Sequence, residues 1–528
     1  MRRECGVKTH STEVCILGAG FGGSLLALIL RKLGRDVVLV DKGKHPRFAI
    51  GESSTPIGNR VLFDLCRRYG LAEIEPLCKW GTWQRSLPQV RGGLKRGFSY
   101  FFHEYDRPFE VFPDHRTELL VAASASNEQS DTHWLRADVD QYFCQCAVRA
   151  GAVYLEQTHA RVAREGGKWE IELTSLGEGD QDAQDDHYLG LGDHKTLKMI
   201  RFDRLKADFL VHAAGPNPEL ASSLTLGDET RLLKTSSRGL FAHFSEMTPW
   251  AQVMDAHGMA RNEHPYPCDD AAIHQVFPGG WMWQLRFAHQ VVSAGFSLRD
   301  LSYDPAVSPD QEFRQWLSRL PSLDYQMQER LLDGEGPPMT RTGRMQRLVS
   351  RAAGEGFALL PFSAGFISPL QSTGIAHTFT AVERIARWFE GGKSPQASDL
   401  AEHDRAVREE LLFIDELIST CYATTDRPEL FHLAIMTYFA AVTSYEKLRS
   451  EMGDRIGWNF IGANDLAMRE KISEAVTLIR SEAALESSQR NLDELTRKLQ
   501  SILERYDHVG LFKPKTPRMY EYTAAPEF

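Results

Sequence analysis

The sequence predicts a mixed α/β fold: a Rossmann-like dinucleotide-binding domain with an antiparallel sheet inserted into it, followed by a helical region. Three observations predict it. An apolar strand, a glycine turn, a helix and a second strand follow one another between Glu13 and Asp41, strand-like alternation marks Ser237 to Phe244, His274 to Phe287 and Val291 to Leu298, and helical periodicity runs from about Asp399 to Arg505. At 528 residues the chain exceeds what one hydrophobic core usually serves. Residues 1–395 are therefore expected to form the dinucleotide domain, with the inserted sheet at about 237–300, and residues 396–528 the helical region.

The first element is the βαβ opening. Val14-Cys15-Ile16-Leu17 is a short apolar run of buried-strand type, and it leads into Gly18-Ala19-Gly20-Phe21-Gly22-Gly23 and the apolar segment Ser24 to Leu33. Gly18 is expected to make the tight turn, Gly20 to let the backbone approach a pyrophosphate, and Gly23 to let helix and strand pack closely. The helix N–H groups would face the anion. After Gly34, Val37 to Val40 reads as the second strand, with Asp41 at its end, where such folds place an acid for a ribose hydroxyl.

The chain continues His45-Pro46-Arg47-Phe48-Ala49-Ile50-Gly51-Glu52-Ser53-Ser54-Thr55-Pro56. This stretch resembles the flavin-dependent halogenases, the aminopyrrolnitrin type above all, in which a His-Pro-Arg-Phe loop leads into Gly-Glu-Ser-Ser-x-Pro. The resemblance implies that the dinucleotide is FAD, a choice the glycine motif alone does not make, and that Glu52 and Ser53 lie at the cofactor.

Glu52 to Gly70 then has the apolar spacing of an amphipathic helix closed by Gly70. Leu94 to His103 reads as one strand with aromatics on both faces and Lys95 at its entrance. In the halogenases a lysine stands before a comparable strand, often as Lys-x-Gly, and Lys95-Arg96-Gly97 matches. Such an ammonium can hold or covalently capture hypohalous acid and aim its halogen at a substrate carbon. A strand-end lysine is otherwise a solvated charge. Lys79, in Cys78-Lys79-Trp80-Gly81, is the second choice.

Phe109 to Thr132 reads as loop. Trp134 to Phe143 enters a helix whose Arg136-Ala137-Asp138-Val139-Asp140 resembles the Arg-x-x-x-Asp region of flavin enzymes, in which the arginine lies along FAD; a helix-start ion pair explains it equally. Short strands are expected at Val153 to Glu156, Arg161 to Arg164 and Trp169 to Leu173, followed by an acidic, glycine-rich surface insertion from Gly177 to His194. Ala207 to Pro216 is another buried strand, returning to the dinucleotide at Gly215.

In the inserted sheet, Gly280-Trp281-Met282-Trp283-Gln284-Leu285-Arg286 resembles the halogenase Trp-x-Trp-x-Ile-Pro, with leucine and arginine in place of the last two residues. The resemblance puts Trp281 and Trp283 on the substrate side, although core packing explains paired indoles as well. A second anchor, Pro369-Leu370-Gln371-Ser372-Thr373-Gly374-Ile375, resembles the family segment whose Thr-Gly backbone lies beside the isoalloxazine and holds halide. Thr373, Gly374 and Ile375 inherit the cofactor assignment, and Thr373 and Gly374 that of halide. Tryptophan halogenases carry a glutamate where Gln371 stands, and an amide does not accept a proton usefully near neutral pH. Either the ring is electron-rich enough to react without it or another base serves; His377 reads as a packed helix residue. The family implies that the C-terminal helices cover the substrate cavity. Within the long charged segment from Asp465 to Arg505, the part after Glu482 has alternating charges that also suit an interaction helix, and Phe512 to Arg518 reads as a surface tail.

Composition excludes other classes. A net charge of -10, without a basic stripe, speaks against nucleic acid as a partner. Eight scattered cysteines with no CxxC pair argue against a zinc site or disulfide framework and for a reducing, cytoplasmic setting. No metal ligand set, signal peptide or membrane-spanning run is visible.

The activity implied by the resemblance is FADH2- and O2-dependent halogenation of an electron-rich aromatic substrate, free or tethered to a carrier protein. It runs through a flavin hydroperoxide and hypohalous acid, with halide and O2 as co-substrates and a separate flavin reductase supplying reduced FAD. Two alternatives stay open: a flavin-dependent monooxygenase or oxidase without halogenation, suggested by Arg286 and Gln371, and a non-catalytic flavin-binding module acting through the C-terminal helices. The sequence does not name the substrate, the halide or the oligomeric state.

Overall fold

A computed structural model describes residues 9–176, 203–327, 330–331 and 336–522. The βαβ opening forms as the pattern predicts. Thr9–Leu17 is a strand paired in parallel with Val37–Val40 on one side and Arg204–His212 on the other, and Phe21–Lys32 is the helix between the first two. The sheet extends to Phe357–Leu359 beyond the Arg204–His212 strand and to Val153–Leu155 beyond Val37–Val40, both parallel. Its central strands are buried on both faces, which is why they read as continuous apolar runs rather than alternating ones.

A second sheet, nine-stranded among the described residues, carries the strands expected on the substrate side. Arg238–Ser245, Val291–Leu298, Gly280–Arg286 and Ala272–Phe277 are antiparallel neighbours, as the alternation predicts. The last of them pairs in parallel with Gly97–Phe102, so strands far apart in sequence meet in one sheet. The C-terminal region is helical: Ala397–Ala423, Pro428–Met452, Leu466–Ala483 and Leu492–Leu503. One continuous apolar core joins these helices to the dinucleotide sheet, from Val14 through Val382 to Tyr445.

Four expectations are corrected. Leu94 to His103 is two strands, Gly92–Lys95 and Gly97–Phe102, which belong to different sheets. The chain switches at Arg96, and Gly97 fits because a Cβ there would stand 2.0 Å from the Val121 carbonyl oxygen. Phe109 to Thr132 contains the buried strand Glu118–Ala122, and Asp131 opens the strand Asp131–Trp134. Phe512 is buried rather than laid on the surface, and the chain beyond it returns as Met519–Tyr520, paired in parallel with Leu120 and Val121. The charged run after Asp465 is two helices separated at residues 484–491, each burying an apolar stripe against the core. The acidic insertion lies outside the described residues.

Candidate active site

The glycine turn has the expected geometry. Gly18 has φ +110°, and a Cβ on it would stand 2.5 Å from the Ala213 carbonyl carbon; one on Gly23 would stand 2.1 Å from the Gly18 oxygen. Both contacts exclude any side chain. A Cβ on Gly20 would meet nothing nearer than Asp140 Oδ2 at 3.5 Å and Arg136 Nη2 at 3.7 Å, so its backbone is open to an approaching group. Asp41 Oδ2 accepts from Ala19 N at 2.7 Å and from Arg47 Nη2 at 2.8 Å, fixing the carboxylate at the mouth of the turn. Arg136 is bidentate to Asp140, and Asp140 Oδ1 in turn accepts from Phe21 N at the helix start. Arg136 Nη1 also donates to the Ile50 and Gly51 carbonyls, which pins the following loop to the turn. Gly215, with φ +71°, takes an N–H bond to Ser363 Oγ at 3.1 Å and so links the returning strand to the second anchor.

Three successive residues of that loop clamp three distant elements. Glu52 Oε1 accepts from His243 Nε2 at 2.8 Å, on the inserted sheet. Ser53 Oγ accepts from Ser372 Oγ at 3.0 Å, at the second anchor. The Ser54 carbonyl accepts from Lys95 Nζ at 2.6 Å. The dinucleotide turn, the substrate-side sheet, the second anchor and Lys95 are thus held by one short segment.

Lys95 is fully buried, its Nζ 4.1 Å from the centroid of the Phe98 ring. Directly across the antiparallel ladder from it stands Asp131, equally buried, held by Asn59 Nδ2 at 2.8 Å. Burial drives both toward neutrality: it lowers Lys95 to about 7, with Asp131 raising it in part, and it raises Asp131 to about 7 against the pull of Lys95. His133 and His274 complete the charge environment, each pushed down to about 3 by burial and then by Lys95. A lysine that titrates near neutrality offers a free amine as well as a donor, unlike an ordinary surface lysine. Lys79 is elsewhere: it precedes the Trp80–Ser86 helix, and its Nζ donates to Gln129 Oε1.

Phe98 opens onto a pocket lined also by Ile57, Gln371, Thr373, Phe439, Glu446 and Phe460. The helical region and the second anchor therefore both contribute to its lining. The Thr373–Arg387 helix begins at Ser372, in left-handed conformation at φ 54°, with no side-chain cap and no acidic residue in its first turn. Its first N–H groups are open to an anion, and a Cβ on Gly374 would meet nothing within 4 Å. Ile375, next in line, is buried in the core. Gln371 Oε1 accepts from the Tyr100 hydroxyl at 3.1 Å.

The family described as tryptophan halogenase matches residues 227–439, and an NAD(P)-binding Rossmann-like domain matches residues 16–69. The monodechloroaminopyrrolnitrin halogenase of Pseudomonas fluorescens is 26% identical over 423 residues, covering 78% of this chain and 67% of the relative. The tetracycline 7-halogenase of Kitasatospora aureofaciens is 29% identical over 415 residues, covering 77% and 66%. The chain is thus similar to flavin-dependent halogenases over most of its length. The alignments span about two thirds of these relatives' length. The fold also matches a crystal structure of halogenase PltM in complex with phloroglucinol and FAD, with a TM-score of 0.78 at 20% identity over 97% of this chain and 99% of that one.

Within this halogenase fold, the altered tryptophan motif has a structural account. Trp281 Nε1 donates to the Tyr422 hydroxyl at 3.0 Å, and the ring lies against His274 and Trp283 with centroids at 5.1 and 6.0 Å. His274 in turn stacks on Tyr100 at 4.6 Å, so the indoles stand behind a layer of rings and do not line the pocket. Leu285 packs in the core. Arg286 turns away, pairing with Asp269 at 3.0 Å and donating to the Met247 and Thr248 carbonyls. His377 is a packed helix residue, its Nε2 2.8 Å from Glu410 and its ring stacked on Phe460.

Sequence reasoning missed Asp131 and Ser54 as neighbours of Lys95: Asp131-Thr132-His133-Trp134 carries no polar-apolar alternation, so no local pattern marks Asp131. Among the described residues no group of three or more metal-ligating side chains exists, no disulfide forms, and no helix is long and apolar enough to cross a membrane.

Proposed function

We propose that this chain halogenates an electron-rich aromatic ring in a reaction that uses FADH2, O2 and a halide ion. The observation that carries the reading is the position of Lys95: buried, lowered to about 7 by burial, and set against Phe98, which itself lines a pocket that also meets Thr373 at the start of the Thr373–Arg387 helix. The residues around the first glycine turn fit FAD. Gly20 is open where a pyrophosphate would approach, Asp41 is oriented at the ribose position, and Arg136 with Gly215 and the loop Glu52-Ser53 would flank the remainder. Bound in its reduced form, FAD supplies the activation of O2 that oxidises halide to an electrophile.

The chain's own groups do the rest. The uncapped N–H groups at Thr373 and Gly374 hold halide through the helix dipole. Lys95 receives hypohalous acid, as an ammonium by hydrogen bonding or as a free amine by capture, and presents its halogen to the ring. The helices from Ala397 onward exclude water, so that the oxidant reaches the ring rather than the solvent. The phloroglucinol complex of halogenase PltM and a Pseudoalteromonas luteoviolacea brominase named for a carrier-bound pyrrole (43% identical over 63 residues, 12% of this chain and 14% of the relative) support an aromatic substrate, free or carrier-bound. A separate flavin reductase in the cytoplasm would supply the reduced cofactor.

The test is Lys95→Ala. Product halogenation is expected to fall by about a hundredfold or more while reduced flavin is still oxidised at the wild-type rate. Halogenation unchanged in this variant contradicts the assignment of Lys95.

A further inference from the structure

Arg347 carries a charge that no acid answers among the described residues. Its Nη2 donates to the Phe362 carbonyl, and its guanidinium carbon stands 4.9 Å from the centroid of the Phe362 ring. Its Nη1 is buried and has no acceptor. Burial lowers Arg347 to about 10, with no carboxylate close enough to draw it back. His212, on the neighbouring strand Arg204–His212, does not offset the charge. It is pushed down to about 3 by burial and then by Arg347, and its Nδ1 accepts from Ala214 N at 3.3 Å. A guanidinium desolvated without a counter-charge is costly, and its planar fork of donors suits a phosphate that brings the charge with it.

The place of Arg347 says which phosphate. Phe362 closes on Gly215, where a Cβ would lie 3.4 Å from two atoms of its ring, and Gly215 N donates to Ser363 Oγ at 3.1 Å. Gly215 follows Ala213 and Ala214, the backbone against which Gly18 packs. A line of contacts thus runs from the glycine turn through Gly215 and Phe362 to Arg347. Arg47 and Arg136, also at that turn, are paired with Asp41 and Asp140, so their charge is already met. The charge of a pyrophosphate at the turn would be left to the helix N–H groups and to Arg347. From this placement, and resting on the fit of the turn to FAD, we propose that Arg347 binds the pyrophosphate of FAD, donating from Nη1 to a phosphate oxygen while the Phe362 ring supports the guanidinium beside Gly215.

The test is flavin binding by the full chain freed of bound flavin, read by quenching of flavin fluorescence, for wild type, Arg347→Ala, Arg347→Gln and Arg347→Lys. FAD is compared with riboflavin, which carries no phosphate. Arg347→Ala and Arg347→Gln are expected to weaken FAD by about tenfold or more and to leave riboflavin within about twofold of wild type. Arg347→Lys, which keeps the charge, should recover part of the loss. FAD bound by Arg347→Ala within about twofold of wild type, riboflavin weakened as much as FAD, or Arg347→Gln binding as well as Arg347→Lys overturns the proposal. No binding of FAD by wild type overturns it together with the fit of the turn. The measurement uses no halide, O2 or reductant, so a chain that binds FAD through Arg347 but forms no halogenated product contradicts the halogenation reading and leaves the role of Arg347 standing.

Discussion

Lys95 and Asp131 stand opposite each other across the two-stranded ladder of Gly92–Lys95 and Asp131–Trp134, both fully out of solvent. Each is driven toward neutrality by burial and drawn back by the other's charge, so the pair titrates as a unit near pH 7. Replacing Asp131 by Asn removes the charge that raises Lys95, and the lysine is then expected to titrate below about 7. The pH dependence of Lys95 reaction with an amine-selective reagent, read by peptide mass spectrometry, checks it; a midpoint that stays or rises contradicts the coupling.

The same pair shapes stability. Lys95 is lowered from 10.5 to about 7, so between those values the unfolded chain binds more protons and stability rises with pH. Asp131 is raised from 3.8 to about 7, so over that range the folded chain binds more protons and stability falls as pH rises. The combined contribution has its minimum near pH 7. The double variant Lys95→Met with Asp131→Leu should therefore raise Tm most near pH 7, by the equivalent of about 1–4 kcal/mol, with halogenation lost. Equal Tm shifts at pH 5, 7 and 9 contradict this.

Arg449 ties the helical region to the dinucleotide domain through Glu383 at 2.8 and 2.9 Å and Asp64 at 2.9 Å. Arg449→Ala removes the buried cation that Glu383 and Asp64 share, leaving them only their same-helix partners Arg387 and Arg60, and is expected to destabilise by about 3–5 kcal/mol. Denaturant titration measures it, and a loss below 1 kcal/mol would show that the network contributes little.

The glycine turn separates packing from binding. Gly18→Ala should yield little folded protein, because its Cβ would lie 2.5 Å from the Ala213 carbonyl carbon. Gly20→Ala should fold, since nothing stands closer than 3.5 Å, yet hold FAD about tenfold or more weakly, roughly 1.4 kcal/mol. Flavin absorbance of the purified variants decides between them.

Arg286 is the residue that made halogenation look doubtful in the sequence. Its contacts to Asp269, Met247 and Thr248 make it a brace at a strand end rather than a pocket residue. Arg286→Pro, which restores the family residue, is expected to lose about 1.5–3 kcal/mol of stability without raising the halogenation rate. A faster variant contradicts that account.

What was legible in the sequence was what periodicity and glycine geometry encode. Gly18, Gly20 and Gly23 announced a turn that only glycine fits, and the Val14 to Leu17 and Val37 to Val40 runs announced strands buried on both faces. Lys95 was legible as a residue and not as an environment: its burial depends on Asp131, Ser54 and Phe98 arriving from three places, and no local pattern carries such a meeting. The break at Arg96 was hidden because Lys95 to Phe102 is uniformly strand-like, whereas the switch of sheets is decided by Gly97 against Val121.

The most direct test of halogenation is mass spectrometry of products formed by purified chain, FAD, a flavin reductase with NADH, and a panel of phenols, anilines, pyrroles and indoles, with chloride or bromide as the sole halide. The account predicts a product whose isotope pattern follows the halide supplied and which is absent without the chain. A product that gains only oxygen, whichever halide is present, contradicts it.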